Sequence, residues 1–208
     1  MQHKNIIINV GRQLGAGGHS IAKLLADEFN CKLYDKEILN LAAKESGFSE
    51  RFFEQNDEQK GFLKSLFHLH APHVGDNNFY NSRFSQESLF QFQSDAIIKA
   101  ADEGSCIFIG RCADYVLRDR DNVVNIFITA NIEDRLKAVM ERDECDEYTA
   151  MKILKTKESA RASYYNYYTG KKWGVAESYD LCINSSILGY EETEKIIAAF
   201  IKEKMKLV

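Results

Sequence analysis

An apolar strand that runs into a cluster of four glycines and then into an amphipathic helix leaves a chain few folds to choose from. Here Ile6-Ile-Ile-Asn-Val10 is followed by Gly11-Arg-Gln-Leu-Gly15-Ala-Gly-Gly-His-Ser20, and then by a pattern with Ile21, Leu24, Leu25 and Phe29 on one helical face that stops at Asn30. In such a strand–loop–helix unit the backbone N–H groups converge on a point where the helix dipole is positive, which suits an anion and phosphate groups in particular. The pattern G-x-x-x-x-G-K-[ST], laid on Gly17, asks for glycine at position 12 and lysine at position 18. This chain has Arg12 and Gly18 there.

Apolar runs rich in β-branched residues recur at Ile6–Val10, Cys31–Tyr34, Cys106–Ile109, Val123–Ile128 and Leu181–Asn184, with helical patterns between them. This alternation predicts an α/β fold: a five-stranded parallel sheet between two helical layers. Asn131, followed by Glu133 and Asp134, predicts a helix start. The last helix has Glu191 and Glu192 early and Lys202, Lys204 and Lys206 late, in keeping with the helix dipole. About seventy residues separate the second and third strands without a convincing strand of their own, the length at which an α/β enzyme keeps a substrate-binding insertion. A second helical stretch, Glu144–Tyr168, lies between the fourth and fifth strands.

A net charge of −4 sets up no global field that would attract nucleic acid or an anionic membrane, so any anion site has to be made locally. No window approaches the ~20 apolar residues of a membrane helix, and the short N-terminal apolar run is no signal-peptide core, so a cytoplasmic chain is expected. The five cysteines (31, 106, 112, 145 and 182) include no C-x-x-C pair and read as reduced core residues.

Three possibilities compete for Gly11–Ser20. It could be a turn that is glycine-rich only for packing. It could be a dinucleotide-binding turn, since Gly15-Ala-Gly17 is followed by Asp35 just after the second strand, about twenty residues on. It could be a phosphate loop, in which Gly15, Ala16, Gly17, Gly18, His19 and Ser20 wrap a terminal phosphate and the Ser20 hydroxyl meets Mg²⁺. The four residues Gly11–Leu14 between strand and Gly-x-Gly favour the last of these.

Cations further along point the same way. Gly110-Arg111 directly follows the third strand, where the ligand crevice of an open α/β sheet lies. Arg111 could instead pair with Asp114. Lys152, Lys155, Lys157 and Arg161 put four cations within ten residues of the second helical stretch, either a solvated face or charges for phosphoryl oxygens. His68, His70 and His73 lack partners that would complete a metal site and are expected in a polar loop, and Tyr164, Tyr165, Tyr167, Tyr168 and Trp173 are expected to pack lid against core with their hydroxyls at the surface.

Taken together the motifs resemble the nucleoside monophosphate kinases, and most closely the cytidylate kinase-like family. The resemblance rests on Arg12-Gln-Leu-Gly-Ala-Gly-Gly-His-Ser-Ile-Ala, Tyr34-Asp-Lys-Glu-Ile, Ile109-Gly-Arg-Cys-Ala-Asp114, Arg161-Ala-Ser-Tyr-Tyr with Tyr168-Thr-Gly, and Tyr179-Asp-Leu-Cys-Ile-Asn-Ser-Ser. It implies a phosphate-loop domain with a core of residues 1–35, 101–143 and 173–208, an acceptor-binding insertion over about 36–100 and a lid over about 144–172. ATP would be the donor, with Mg²⁺, and a small molecule such as CMP the acceptor. Gly15–Ser20 would hold the donor phosphates, Ser20 would hold Mg²⁺, and Asp35, Arg83, Arg111 and Asp114 would face the acceptor. Lys155, Lys157 and Arg161 would belong to the lid, with Arg161 closing over the transferring group.

Two positions depart from that pattern: Gly18 where the family's kinases carry lysine, and Ile109 where they carry the aspartate of Asp-Gly-Arg. A loop without its lysine either recruits another cation, for which Arg12 is the candidate, or binds nucleotide without turning it over. The chain is therefore expected to be an ATP-dependent kinase with Arg12, Arg111 and Arg161 as its catalytic cations. The alternatives are a nucleotide-binding regulator without turnover and, from Gly15, Gly17 and Asp35, a nicotinamide-dependent oxidoreductase.

Overall fold

The computed structural model describes residues 5–36 and 78–206. The chain divides into two compact units, Met1–Lys36 with Ala100–Val208, and Glu37–Lys99. In the first unit β1 (Ile7–Arg12), β2 (Lys32–Tyr34), β3 (Cys106–Ile109), β4 (Val123–Thr129) and β5 (Leu181–Asn184) form one parallel sheet in the order β2-β3-β1-β4-β5. The helices are α1 (Gly18–Glu28), α2 (Asn78–Glu103, which runs from the second unit into the first), the single-turn α3 (Ala113–Val116), α4 (Ile132–Asp143), α5 (Glu147–Thr169) and α6 (Gly189–Met205). No helix among the described residues is long and apolar enough to cross a membrane.

The five strands lie at the five apolar runs; the central β1, β3 and β4 are buried along most of their length, whereas the edge strands β2 and β5 are only partly covered. One face packs Ile8, Val10, Ile107, Ile109, Val124, Ile126 and Ile128 against Ile21, Ala22 and Leu25 of α1 and Ile197, Ala198 and Ile201 of α6. On the other face the Phe127 ring meets Trp173 edge-on at 5.3 Å and Tyr179 at 4.8 Å between centroids.

Three local expectations need correction. Asn131 opens α4 as expected, with Glu133 and Asp134 in the first turn, but its side chain does not cap; its Oδ1 accepts from Asn184 Nδ2 at 2.9 Å and ties α4 to the end of β5. Cys182 is exposed, because β5 is an edge strand, whereas Cys106 and Cys112 are buried as expected and all five cysteines are free thiols. Most important for the site, β1 runs on through Gly11 and Arg12, which pair with Phe127 and Ile128 of β4 after β3 has ended at Ile109. The loop is therefore only Gln13–Gly17, and half of the spacer that argued against a dinucleotide turn is strand.

Strand order replaces that spacer as the discriminating observation. In a dinucleotide-binding fold the second strand lies beside the first, so its terminal carboxylate reaches the ribose at the same crevice. Here β3 separates β1 from β2, and Asp35 follows a strand that β1 does not touch. The crevice of this sheet opens instead between β1 and β3, whose outgoing connections run in opposite directions.

Gly11 is required on steric grounds. A Cβ there would lie 2.7 Å from Phe127 Cδ2, in a ring that is 1% exposed and cannot retreat from its aromatic neighbours. Gly11→Ala is expected to destabilise the protein by about 1–3 kcal/mol through overpacking, measured by urea denaturation. Unchanged stability would show that the Phe127 cluster has room to shift.

Candidate functional site

The loop Gln13–Gly17 carries the chain from β1 into α1 with Gly15 at φ +79° and Gly17 at φ +71°. Gly17 is the N-cap; α1 has no side-chain cap bond and no acidic residue in its first turn. The first N–H groups of a helix have no intrahelical partner, so this end presents donors and a positive dipole to whatever lies before it. Both glycines also face close neighbours: a Cβ on Gly15 would be 2.7 Å from the Arg135 carbonyl oxygen, and one on Gly17 would be 2.2 Å from the Tyr190 ring. Ala16 is fully buried, and its carbonyl accepts the Ser185 hydroxyl at 2.9 Å. His19 and Ser20 follow on the exposed start of α1.

The long helix α5 grips this loop. Its inward residues succeed one another every three or four positions, and their chemistry changes along the helix. Ala150 and Leu154 pack with Leu14, Leu136 and Val139. Glu158 accepts the Leu14 N–H at 3.3 Å and pairs with Arg135 at 2.5 Å, while Arg135 Nε donates to the Leu14 carbonyl at 2.9 Å. One turn on, Arg161 donates to the Arg12 carbonyl at 3.1 Å. Burial pushes the Arg161 guanidinium below its ordinary pKa; the neighbouring Glu158 opposes this, and Arg111, Arg142 and Arg135 add to it by repulsion.

Across the crevice, Gly110, Arg111 and Cys112 all have left-handed backbones, with φ of 72°, 59° and 57°. For Arg111 and Cys112 this costs roughly 1–2 kcal/mol each, a strain of the sort stored where a side chain must be aimed. The Arg111 guanidinium lies 5.0 Å from the centroid of the Tyr164 ring, a cation–π contact that fixes it to α5. Burial raises the Tyr164 phenol, and Arg111 pulls in the opposite direction. The next residue of α5, Tyr165, is buried and donates its hydroxyl to Asp114 Oδ2 at 2.6 Å. Contrary to expectation this phenol is not at the surface, whereas Tyr167 is exposed and Trp173 packs on Phe127.

The loop, Arg111 and Arg161 thus come together at one end of the sheet. Asp114, placed with the acceptor by sequence, is only 9% exposed and serves Tyr165. Lys155 and Lys157 are exposed on α5, Lys157 beside Asp143. Asp35 is half-buried one residue beyond β2. Arg83 stands on α2 with its side chain outside the described residues, as are His68, His70 and His73. Among the described residues no three histidine, cysteine or acidic side chains cluster to hold a metal. Sequence reasoning missed Arg135, Glu158, Ser185 and Tyr190. For Glu158 the spacing of Ala150, Leu154, Glu158, Arg161 and Tyr165 along α5 was the available signal, hidden because part of that face is polar.

The family model of the cytidylate kinase-like family matches residues 7–187. The chain belongs to that family. A search of curated proteins finds no significant match. Among solved structures the chain is similar to an uncharacterized protein from Eubacterium ventriosum, with 29% identity and a TM-score of 0.73 over 95% of this chain and 98% of that one. It shares its fold with a shikimate kinase from Bacteroides thetaiotaomicron at 12% identity and a TM-score of 0.53, covering 98% and 100% of the two chains. A shikimate kinase from Acinetobacter baumannii, solved with shikimate, aligns at 12% identity and a TM-score of 0.50 over 100% and 97%. The family's phosphotransferase fold is thus combined here with Gly18 in the loop and a buried Ile109 within the apolar face of β3.

The Tyr165–Asp114 bond has a pH signature. Burial, the larger effect, raises the Asp114 carboxyl above its ordinary value, and the phenol, which stabilises the charged form, partly offsets this. Without the phenol the folded-state pKa climbs further, so additional stability is lost as pH rises through the carboxylate range. Tyr165→Phe is expected to cost about 1.5–3 kcal/mol at neutral pH and less below the ordinary carboxylate pKa, measured by urea denaturation at the two conditions. Equal losses at both would mean that the bond is not made to a carboxylate.

Proposed function

We propose that this member of the cytidylate kinase-like family transfers the γ-phosphoryl group of ATP to a small acceptor. A nucleoside monophosphate such as CMP is the acceptor that the family suggests. The observation that carries the reading is the opposition of two elements across the β1–β3 crevice. On one side stands the glycine loop with the uncapped start of α1, and on the other the strained turn that aims Arg111.

In this reading the backbone from Gly15 to Ser20 holds the donor phosphates, Arg111 meets the acceptor, and Arg161 neutralises the transferring group. Positioning and charge neutralisation supply the catalysis, with no covalent nucleophile. Ser20, exposed on the first turn of α1, fits an ion that keeps most of its waters and binds chiefly through substrate phosphates. The Ser20 hydroxyl would hold Mg²⁺ there, and the ion would supply neutralisation of phosphate charge. Asp35 and Arg83 remain assigned to the acceptor, and Lys155 and Lys157 to the outer surface of a lid that closes to exclude water. Asp114 we move from the acceptor to the lid: through Tyr165 it anchors the helix that carries Tyr164 and Arg161.

Gly18 favours a second possibility, a nucleotide-binding regulator without turnover. A coupled ADP-release screen of the purified chain against nucleoside monophosphates and small metabolites separates the two. Phosphoryl transfer to one acceptor class is the expected result; Mg·ATP binding with no transfer to any of them would establish the regulator. With an acceptor in hand, Arg161→Ala is expected to lower turnover by about 10²-fold. Turnover within a factor of about two of the parent would take Arg161 out of the chemistry.

A further inference from the structure

We propose that Arg12 supplies the phosphate-binding cation that position 18 lacks, and that position 18 is glycine because the Arg12 stem fills the space a lysine there would need. A Cβ on Gly18 would lie 2.6 Å from Arg12 Cβ and 2.7 Å from Arg12 Cγ, closer than real Cβ contacts come. Any side chain at position 18 therefore displaces Arg12. Beyond that point the side chain continues across the crevice: Arg12 Nη1 lies 2.5 Å from where a Cβ on Gly110 would stand.

The path follows from the way β1 ends. Arg12 is the last residue of β1 and pairs with Ile128 of β4, while β3 has already stopped at Ile109. The space beside Arg12 is thus left open toward Gly110, whose positive φ and missing Cβ let the guanidinium approach its backbone. The backbone of Arg12 is fixed in turn by the bond from Arg161 to its carbonyl.

The guanidinium consequently lies between the start of α1 and the turn that carries Arg111, where the donor's terminal phosphate would meet the acceptor. A phosphate-loop lysine reaches that place from the helix as a point charge. Arg12 reaches it from the strand with a planar fork that can engage two oxygens at once. Gly18 and Arg12 are then one feature, a cation moved six residues toward the N-terminus.

The inference rests on the reading that the loop holds nucleotide phosphates, and its test needs no acceptor. Binding of Mg·AMP-PNP and Mg·ADP is measured by isothermal titration on the parent, Arg12→Met, Gly18→Lys and the double variant Arg12→Ala/Gly18→Lys, with a thermal melt of each to confirm folding. Arg12→Met keeps the stem without the charge and is expected to bind Mg·AMP-PNP about 10- to 100-fold more weakly. Gly18→Lys alone, which forces the two stems together, is expected to bind more weakly than the parent or to melt at a lower temperature. In the double variant lysine takes over the vacated space, and affinity is expected to return to within about threefold of the parent. Arg12→Met binding as tightly as the parent, or a folded double variant no tighter than Arg12→Met, would overturn the assignment while leaving the phosphate-loop reading in place. A parent that binds neither nucleotide would defeat that reading itself.

Discussion

The structure around the loop depends on the hold that Arg135 and Glu158 have on Leu14. Glu158 accepts the N–H of Leu14, Arg135 donates to its carbonyl, and the two side chains pair with each other across it. The Leu14 side chain meanwhile packs with Leu136, Val139 and Leu154, so one residue joins the loop to both α4 and α5. Arg135 is buried, and a charge taken out of water is tolerable only when its partner and hydrogen bonds are in place. Such a pair contributes little net stability against an apolar replacement, but it permits one arrangement of loop and helices, since any other leaves a charge unpaired. The close approach of Gly15 to the Arg135 backbone belongs to the same arrangement.

From that grip the remaining geometry follows along α5. Once Glu158 is fixed, helical spacing puts Arg161 under the end of β1, Tyr164 under Arg111 and Tyr165 on Asp114. The cations of the crevice come from separate elements: β1, the turn after β3, and α5. Burial lowers the Arg161 pKa most and the neighbouring arginines add to it by repulsion, a double cost at a site whose ligand would be an anion. The left-handed turn Gly110–Cys112 is a second such cost at the same place.

The two departures from the family's kinases have local physical reasons. Ile109 points into the apolar cluster shared by β1, β3 and α1, where a carboxylate would be buried without water. Gly18 lies under the Arg12 stem. Neither disturbs the sheet, the loop or α1, which is why the fold persists while its charges are rearranged.

The fold was largely legible in the sequence. A parallel sheet covered on both faces imprints itself as short, mainly apolar runs, and all five runs became strands. The glycine loop was legible too, because a strand, a tight turn and an uncapped helix can be recognised from a dozen consecutive residues. Its boundary was not: Gly11 and Arg12 look like loop in one dimension and become strand only because β4 is long enough to pair with them. The roles of Glu158, Arg135, Tyr165 and Asp114 were equally hidden, since polar residues on a helix read as a solvated face until the partner that desolvates them is known. The dinucleotide alternative fell to strand order, which no local pattern encodes. Sequence alone thus determined the layered fold and the glycine loop between β1 and α1, through periodicity and glycine placement, which are local properties of the chain. Tertiary structure decided which charges reach that loop, because contacts such as Arg12 over Gly18 and Arg161 on Arg12 depend on where one strand stops and where a helix far along the chain is laid.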